Sequence, residues 1–123
     1  MREESIIKFI TRQLQVKGRY FVNVHGSNYS RNGTADILTL DKSNRFLAIE
    51  AKVPGKHPVV NQWSHAIKVL QSGGRVVIAY DDFDIEKVDN QTIPTVRIGS
   101  VLGQSEFDAV KTVTLSGTTE ICI

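Results

Sequence analysis

Apolar residues recur along the chain with two different periods, and the change from one to the other marks out the elements. Over residues 3–16 they fall at Ile6 or Ile7, Ile10 and Leu14, the spacing of one helical face, with Lys17-Gly18 as the stop. Residues 20–25 alternate in character and read as a short strand, followed by the polar loop 26–33. Two runs rich in Ile and Leu, 35–40 and 46–53, flank the turn-forming Asp41-Lys42-Ser43-Asn44-Arg45 and predict an antiparallel hairpin. Residues 59–72 carry Val59, Trp63, Ala66, Ile67 and Leu70 on one stripe. Pro58 suits the first turn of that helix and Gly73-Gly74 its C-terminal cap. Residues 75–80 are continuously apolar, as expected of a buried strand lying parallel to 46–53 across the helical crossover. Further on, 94–98 reads as a strand, 106–112 as a short helix and 118–123 as a terminal strand whose alternation suits either edge pairing or a dimer contact. The sum is an α/β domain: a mixed β-sheet flanked by helices, with core order α-β-β-β-α-β and a short C-terminal extension.

The hairpin is where the pattern turns to chemistry. Symmetric closure sets Leu40 opposite Phe46, Leu38 opposite Ala48 and Asp36 opposite Glu50, so two carboxylates stand side by side. Lys52 shares the face of Glu50, roughly 7 Å along the strand. The other face, Ile37, Leu47, Ile49 and Ala51, is apolar, which places the hairpin centrally in its sheet. Burying Asp, Glu and Lys together costs several kcal/mol per charge unless something compensates, and a divalent metal would compensate for the carboxylates. The alternative is a structural salt bridge of Lys52 with Glu50 or Asp36 at a strand end.

Asp36, a spacer of 13 residues and then Glu50-Ala51-Lys52 resembles the PD-(D/E)xK nuclease signature. The ordered segments GTADIL, FLAIEAK, GKHPVVNQ and GGRVVIAY are similar, more narrowly, to the VRR-NUC (virus-type replication-repair nuclease) domains. The similarity runs over about residues 4–88, and Ala35 stands where that family usually has Pro. It implies a restriction-endonuclease-like fold and a metal-dependent endodeoxyribonuclease using Mg²⁺ or Mn²⁺. Asp36, Glu50, Lys52 and Gln62 would be its catalytic residues, and Glu4, Asp36, Glu50 and the carbonyl of Ala51 its metal ligands. Glu3 and Glu4 both extend the first helix's apolar stripe, and the family's spacing of ten to Leu14 selects Glu4. Small members of the family suggest branched or junction DNA as substrate, a homodimer, and a viral or phage setting. A catalytically silent nucleic-acid-binding module, or a nuclease acting on RNA or DNA ends, is the competing reading.

Composition sharpens this in a few places. The chain of 123 residues, 41% hydrophobic, fits one domain, with the core over about 3–88 and the extension over 89–123. No apolar run approaches the roughly 20 residues that span a bilayer, and the N-terminus lacks a signal-peptide pattern, so a cytoplasmic location is expected. The lone Cys122 offers neither a disulfide nor a zinc cluster and reads as inert packing. The net charge of +2 hides an asymmetry: residues 1–75 carry 12 Lys and Arg against 5 Asp and Glu, a balance of +7, and residues 76–123 carry 3 against 8, a balance of −5. That suits a basic site facing a polyanion, with the acidic part turned away or contacting a basic surface. Arg31, with Tyr29 for stacking, and Lys56 are the candidate nucleic-acid contacts. His25 and His65 read as surface or hydrogen-bonded histidines, Trp63 as core, and the acidic run Asp81 to Asp89 as a solvated turn and short helix rather than a calcium loop.

Overall fold

In the computed structural model, residues 2–25, 33–99, 110 and 113–123 are described. The elements in order are α1 (Glu3–Val16), β1 (Phe21–Asn23), β2 (Ile37–Leu40), β3 (Phe46–Ala51), α2 (Val60–Gln71), β4 (Arg75–Ala79), α3 (Ile85–Asp89), β5 (Thr95–Arg97) and β6 (Thr119–Cys122). Among the described residues the strands form one six-stranded mixed sheet in the order β1-β2-β3-β4-β6-β5. Of the expected helix at 106–112 only Val110, helical and buried, is described; Tyr29 and Arg31 lie outside the described residues.

The β2–β3 hairpin takes the symmetric register, with Leu38 opposite Ala48 and Leu40 opposite Phe46. Its turn is held by Asp41, whose Oδ1 accepts the Ser43 and Arg45 N–H groups at 2.8 Å each. Asn44 supplies the left-handed residue at φ 66°. β3 then runs parallel to β4 through the α2 crossover, Leu47 beside Arg75 and Ala51 beside Ala79. The terminal strand β6 is antiparallel to β4 and parallel to β5. Its alternation is therefore spent inside the sheet, and β1 and β5 are the edges.

Side-chain alternation divides the core into two layers. Ile37, Leu47, Ile49, Ala51, Val77 and Ala79 pack under α1 with its Ile6, Ile7, Ile10 and Leu14, joined by Ile85 and Val88 of α3. Ala48, Val76, Ile78 and Ile121 face Trp63, Ala66 and Ile67 of α2 on the other side. Both faces of β3 are covered as its sequence requires, so any polar group on it is taken out of water. No helix among the described residues is long and apolar enough to cross a membrane.

One fully buried charge joins three parts of the sheet. Arg75, 2% exposed, donates from Nε and Nη2 to the two oxygens of Glu120 at 2.9 and 2.5 Å, from Nη1 to Asp41 Oδ2 at 3.2 Å and from Nη2 to the Val88 carbonyl at 2.9 Å. Burial alone would raise the Asp41 carboxyl, but the bonds from Arg45, Arg75 and Ser43 outweigh it and hold the group below the usual range.

Candidate functional site

Asp36 ends the approach to β2, and the β2–β3 register carries it to the level of Glu50. Its orientation is fixed from two sides. Oδ2 accepts the Ala51 N–H at 2.9 Å, and Oδ1 accepts from His25 Nδ1 at 2.8 Å. Asp36 and Glu50 are only 6% and 4% exposed. Burial pushes the Glu50 carboxyl up to about 9; the neighbouring Asp36 charge adds to this, and Lys52 opposes it. A largely apolar cavity of about 170 Å³ between α2 and the sheet, walled by Leu38, Ala48, Trp63, Ala66 and Ile78, lies beside Glu50.

Lys52 lies on the Glu50 side of the strand as alternation requires, with Nζ 3.9 Å from Glu50 Oε1. Gln62 comes from the first turn of α2. Its Oε1 accepts the Val59 N–H at 2.9 Å, which fixes the amide so that Nε2 donates to Glu50 Oε1 at 2.8 Å. The helix cap and the site contact are thus made by the two ends of one side chain. Gly33 permits this approach: it sits at φ 90°, and a Cβ there would fall 2.5 Å from the Asn61 carbonyl oxygen. Asp36, Glu50, Lys52 and Gln62 are therefore brought together.

For the first helix the expectation is reversed. Glu3, not Glu4, faces the site: one ligand atom each from Glu3, His25 and Asp36 lie within 4.8 Å of one another, whereas Glu4 is exposed. Glu3 stands 4, 7 and 11 residues before the buried Ile7, Ile10 and Leu14, the spacing that stays on one helical face, and Glu4 is rotated off it. Burial raises the Glu3 carboxyl, and the Asp36 charge raises it further. His25 is exposed and hydrogen-bonded, as its sequence position suggested, and its partner is Asp36, which makes it a member of the cluster. β1 pairs with β2 so that Asn23 is opposite Ile37, and the Val24 N–H bonds the Asp36 carbonyl at 2.8 Å, which leaves His25 beside the Asp36 side chain. Ala51 contributes its N–H to Asp36, while its side chain belongs to the α1 layer.

The charge asymmetry is partly cancelled inside the molecule. Lys17 pairs with Glu86, Arg19 grips Asp89 through two bonds at 2.7 and 2.9 Å, and Arg75 holds Glu120. Asp84 caps α3, and Asp82 accepts both the N–H and the hydroxyl of Thr118. The acidic segment is therefore structural, and Lys17, Arg19 and Arg75 are not spare for a polyanion. Lys56 is exposed beyond Lys52, its carbonyl accepting the Tyr80 hydroxyl at 2.6 Å.

Neither known protein families nor curated proteins match this sequence. Glu3, His25 and Asp36 converge with Glu50 next to Asp36, the Glu3 and Glu50 carboxyl groups are pushed toward the neutral form, and Lys52 is the cation beside Glu50. A partly open cluster of carboxyl oxygens with one imidazole nitrogen is a donor set suited to a divalent metal ion.

Proposed function

We propose that the protein is a metal-dependent endodeoxyribonuclease of the VRR-NUC type, with a restriction-endonuclease-like fold. The observation that carries the reading is the buried Asp36–Glu50 pair on neighbouring strands with Lys52 3.9 Å from Glu50. Asp36, Glu50 and Glu3, with the Ala51 carbonyl, would hold Mg²⁺ or Mn²⁺. Such an ion supplies charge neutralisation at the phosphoryl oxygens and a more acidic bound water. The chain's own residues do the rest. Lys52 presents an ammonium beside the carboxylates, suited to orienting the attacking water or to countering the negative charge that grows on the phosphate. Gln62 fixes Glu50, and the Ala51 N–H fixes Asp36, so neither carboxylate has to reorganise during the reaction. Lys56, and Arg31 by its sequence position, would meet the flanking phosphates.

The test incubates the protein with Mg²⁺ or Mn²⁺ and labelled linear, flap and four-way DNA, beside Asp36→Ala and Lys52→Ala. Cleavage that both substitutions reduce by roughly 10²-fold or more supports the assignment, since removal of one group stabilising transition-state charge typically costs that much. Branched DNA is expected to be cut in preference to linear. Products that survive both substitutions refute it, and binding without cutting in either metal favours a silent binding module.

A further inference from the structure

The ligand set drawn from the hairpin is all oxygen, but the structure adds a nitrogen. His25 Nδ1 lies 2.8 Å from Asp36 Oδ1 and 3.9 Å from Glu3 Oε1. With metal–nitrogen and metal–oxygen bonds of about 2.0–2.2 Å, two donors on one ion stand roughly 3 Å apart at a right angle and about 4.2 Å apart when opposite. The separations fall in that range, and the widest spacing in the trio, within 4.8 Å, closes with a small side-chain rotation. Glu3 comes from the first turn of α1, His25 stands two residues past β1 and Asp36 immediately before β2, so the packing of α1 and the β1–β2 pairing bring the donors together. Asp36 is held by the Ala51 N–H, and the His25 backbone is tied by its N–H to Asn23 Oδ1 at 3.1 Å. Supported backbones of this kind keep the trio ready for an ion.

We propose that His25 is a metal ligand together with Glu3 and Asp36, and that this nitrogen makes the site prefer Mn²⁺, Co²⁺ or Zn²⁺ to Mg²⁺. Mg²⁺ is a hard ion that binds through carboxylates and retained waters, whereas imidazole suits the later first-row metals, whose affinities rise along the divalent series. The inference rests on the proposed site holding a cation, and it goes further by naming the ion class and the residue that selects it.

Metal-free protein is titrated with Co²⁺, followed by its visible absorption, and with Mn²⁺, followed by the electron paramagnetic resonance of the free ion, with Mg²⁺ as competitor. The wild type is expected to bind Mn²⁺ and Co²⁺ at least tenfold more tightly than Mg²⁺. His25→Ala should lose at least tenfold in affinity for both transition metals while its Mg²⁺ affinity and circular dichroism stay unchanged, and His57→Ala should match the wild type. Glu3→Gln serves as a second variant on a separate element and should also weaken Co²⁺ binding. Equal affinity for Mg²⁺ and Mn²⁺, or unaltered Co²⁺ binding by His25→Ala, overturns the inference and leaves the nuclease reading intact. A His25-dependent Co²⁺ complex that cuts no DNA does the reverse. Failure to bind any divalent ion removes both.

Discussion

Replacing Glu50 by Gln gives the most direct physical test of the site, because the amide copies the protonated acid. It keeps the oxygen that accepts from Gln62 Nε2, offers an N–H toward Asp36 and does not ionise. In the wild type, burial and Asp36 push the Glu50 carboxyl from 4.5 to about 9. Between those values the folded state keeps a proton that the unfolded state has released, so stability is fully present below the lower value and is lost as pH rises toward the upper one. At 1.36 kcal/mol per unit, the loss from this group is about 3 kcal/mol by pH 7 and about 6 kcal/mol once pH has passed 9.

Urea unfolding in EDTA from pH 5 to 8 at constant ionic strength measures this, with the fluorescence of the single tryptophan, Trp63, 3% exposed, as the probe. The wild type should lose about 4 kcal/mol more than Glu50→Gln across that range, so the two are close at pH 5 and the variant is clearly the more stable at pH 8. The raised Glu3 carboxyl acts in the same direction in both proteins and cancels in the comparison. Saturating Mn²⁺ should flatten the wild-type curve and affect the variant much less. Parallel pH dependences for the two proteins would show that Glu50 is not held neutral, and the electrostatic case for a cation site would fall with it.

Gly33→Ala puts a side chain at φ 90° and a Cβ 2.5 Å from the Asn61 carbonyl; it should cost roughly 2–3 kcal/mol in urea unfolding and weaken Mn²⁺ binding, because the strain is relieved by moving α2 or the segment leading into Asp36. Arg75→Leu strands Asp41 and Glu120 without their cation and should cost about 3–5 kcal/mol; a loss below about 1 kcal/mol in the same assay would mean that the network is dispensable.

The hairpin was legible because every rule pointed one way. Asp41 and Asn44 specify the turn, strict alternation assigns each residue to a face, and symmetric closure then places Asp36 at Glu50 with no further information. The α2 helix was legible from its stripe and from Gly73, at φ 91°, past its end. His25 was not. Residues 26–33 carry no turn signature that fixes a register between β1 and β2, so nothing in the sequence tells that Asn23 pairs with Ile37 and that His25 follows onto Asp36. Glu3 could have been found. The stripe Ile7, Ile10, Leu14 extends back to position 3 at intervals of four and three, and this local periodicity was a better guide than a spacing borrowed from a resemblance. The place of β6 between β4 and β5 is a matter of topology, which alternation within one strand does not reveal.

Two buried charge clusters in the same sheet allow a comparison that neither permits alone. Around Arg75 the two facing carboxylates meet a guanidinium whose donors are taken up by Glu120, Asp41 and the Val88 carbonyl, and Asp41 is held below the usual range despite its burial. At the other end of the same strands, Glu3, Asp36 and Glu50 gather with one ammonium 3.9 Å from Glu50 and an imidazole on Asp36, and both Glu3 and Glu50 are driven up. The sequence thus neutralises buried acids fully where they serve only the fold. Buried acids that lack enough countercharge destabilise the protein that carries them. A cluster of that kind, at the central hairpin of the sheet, is accounted for if positive charge arrives from outside the chain, which is the role the divalent ion has in the proposed reaction.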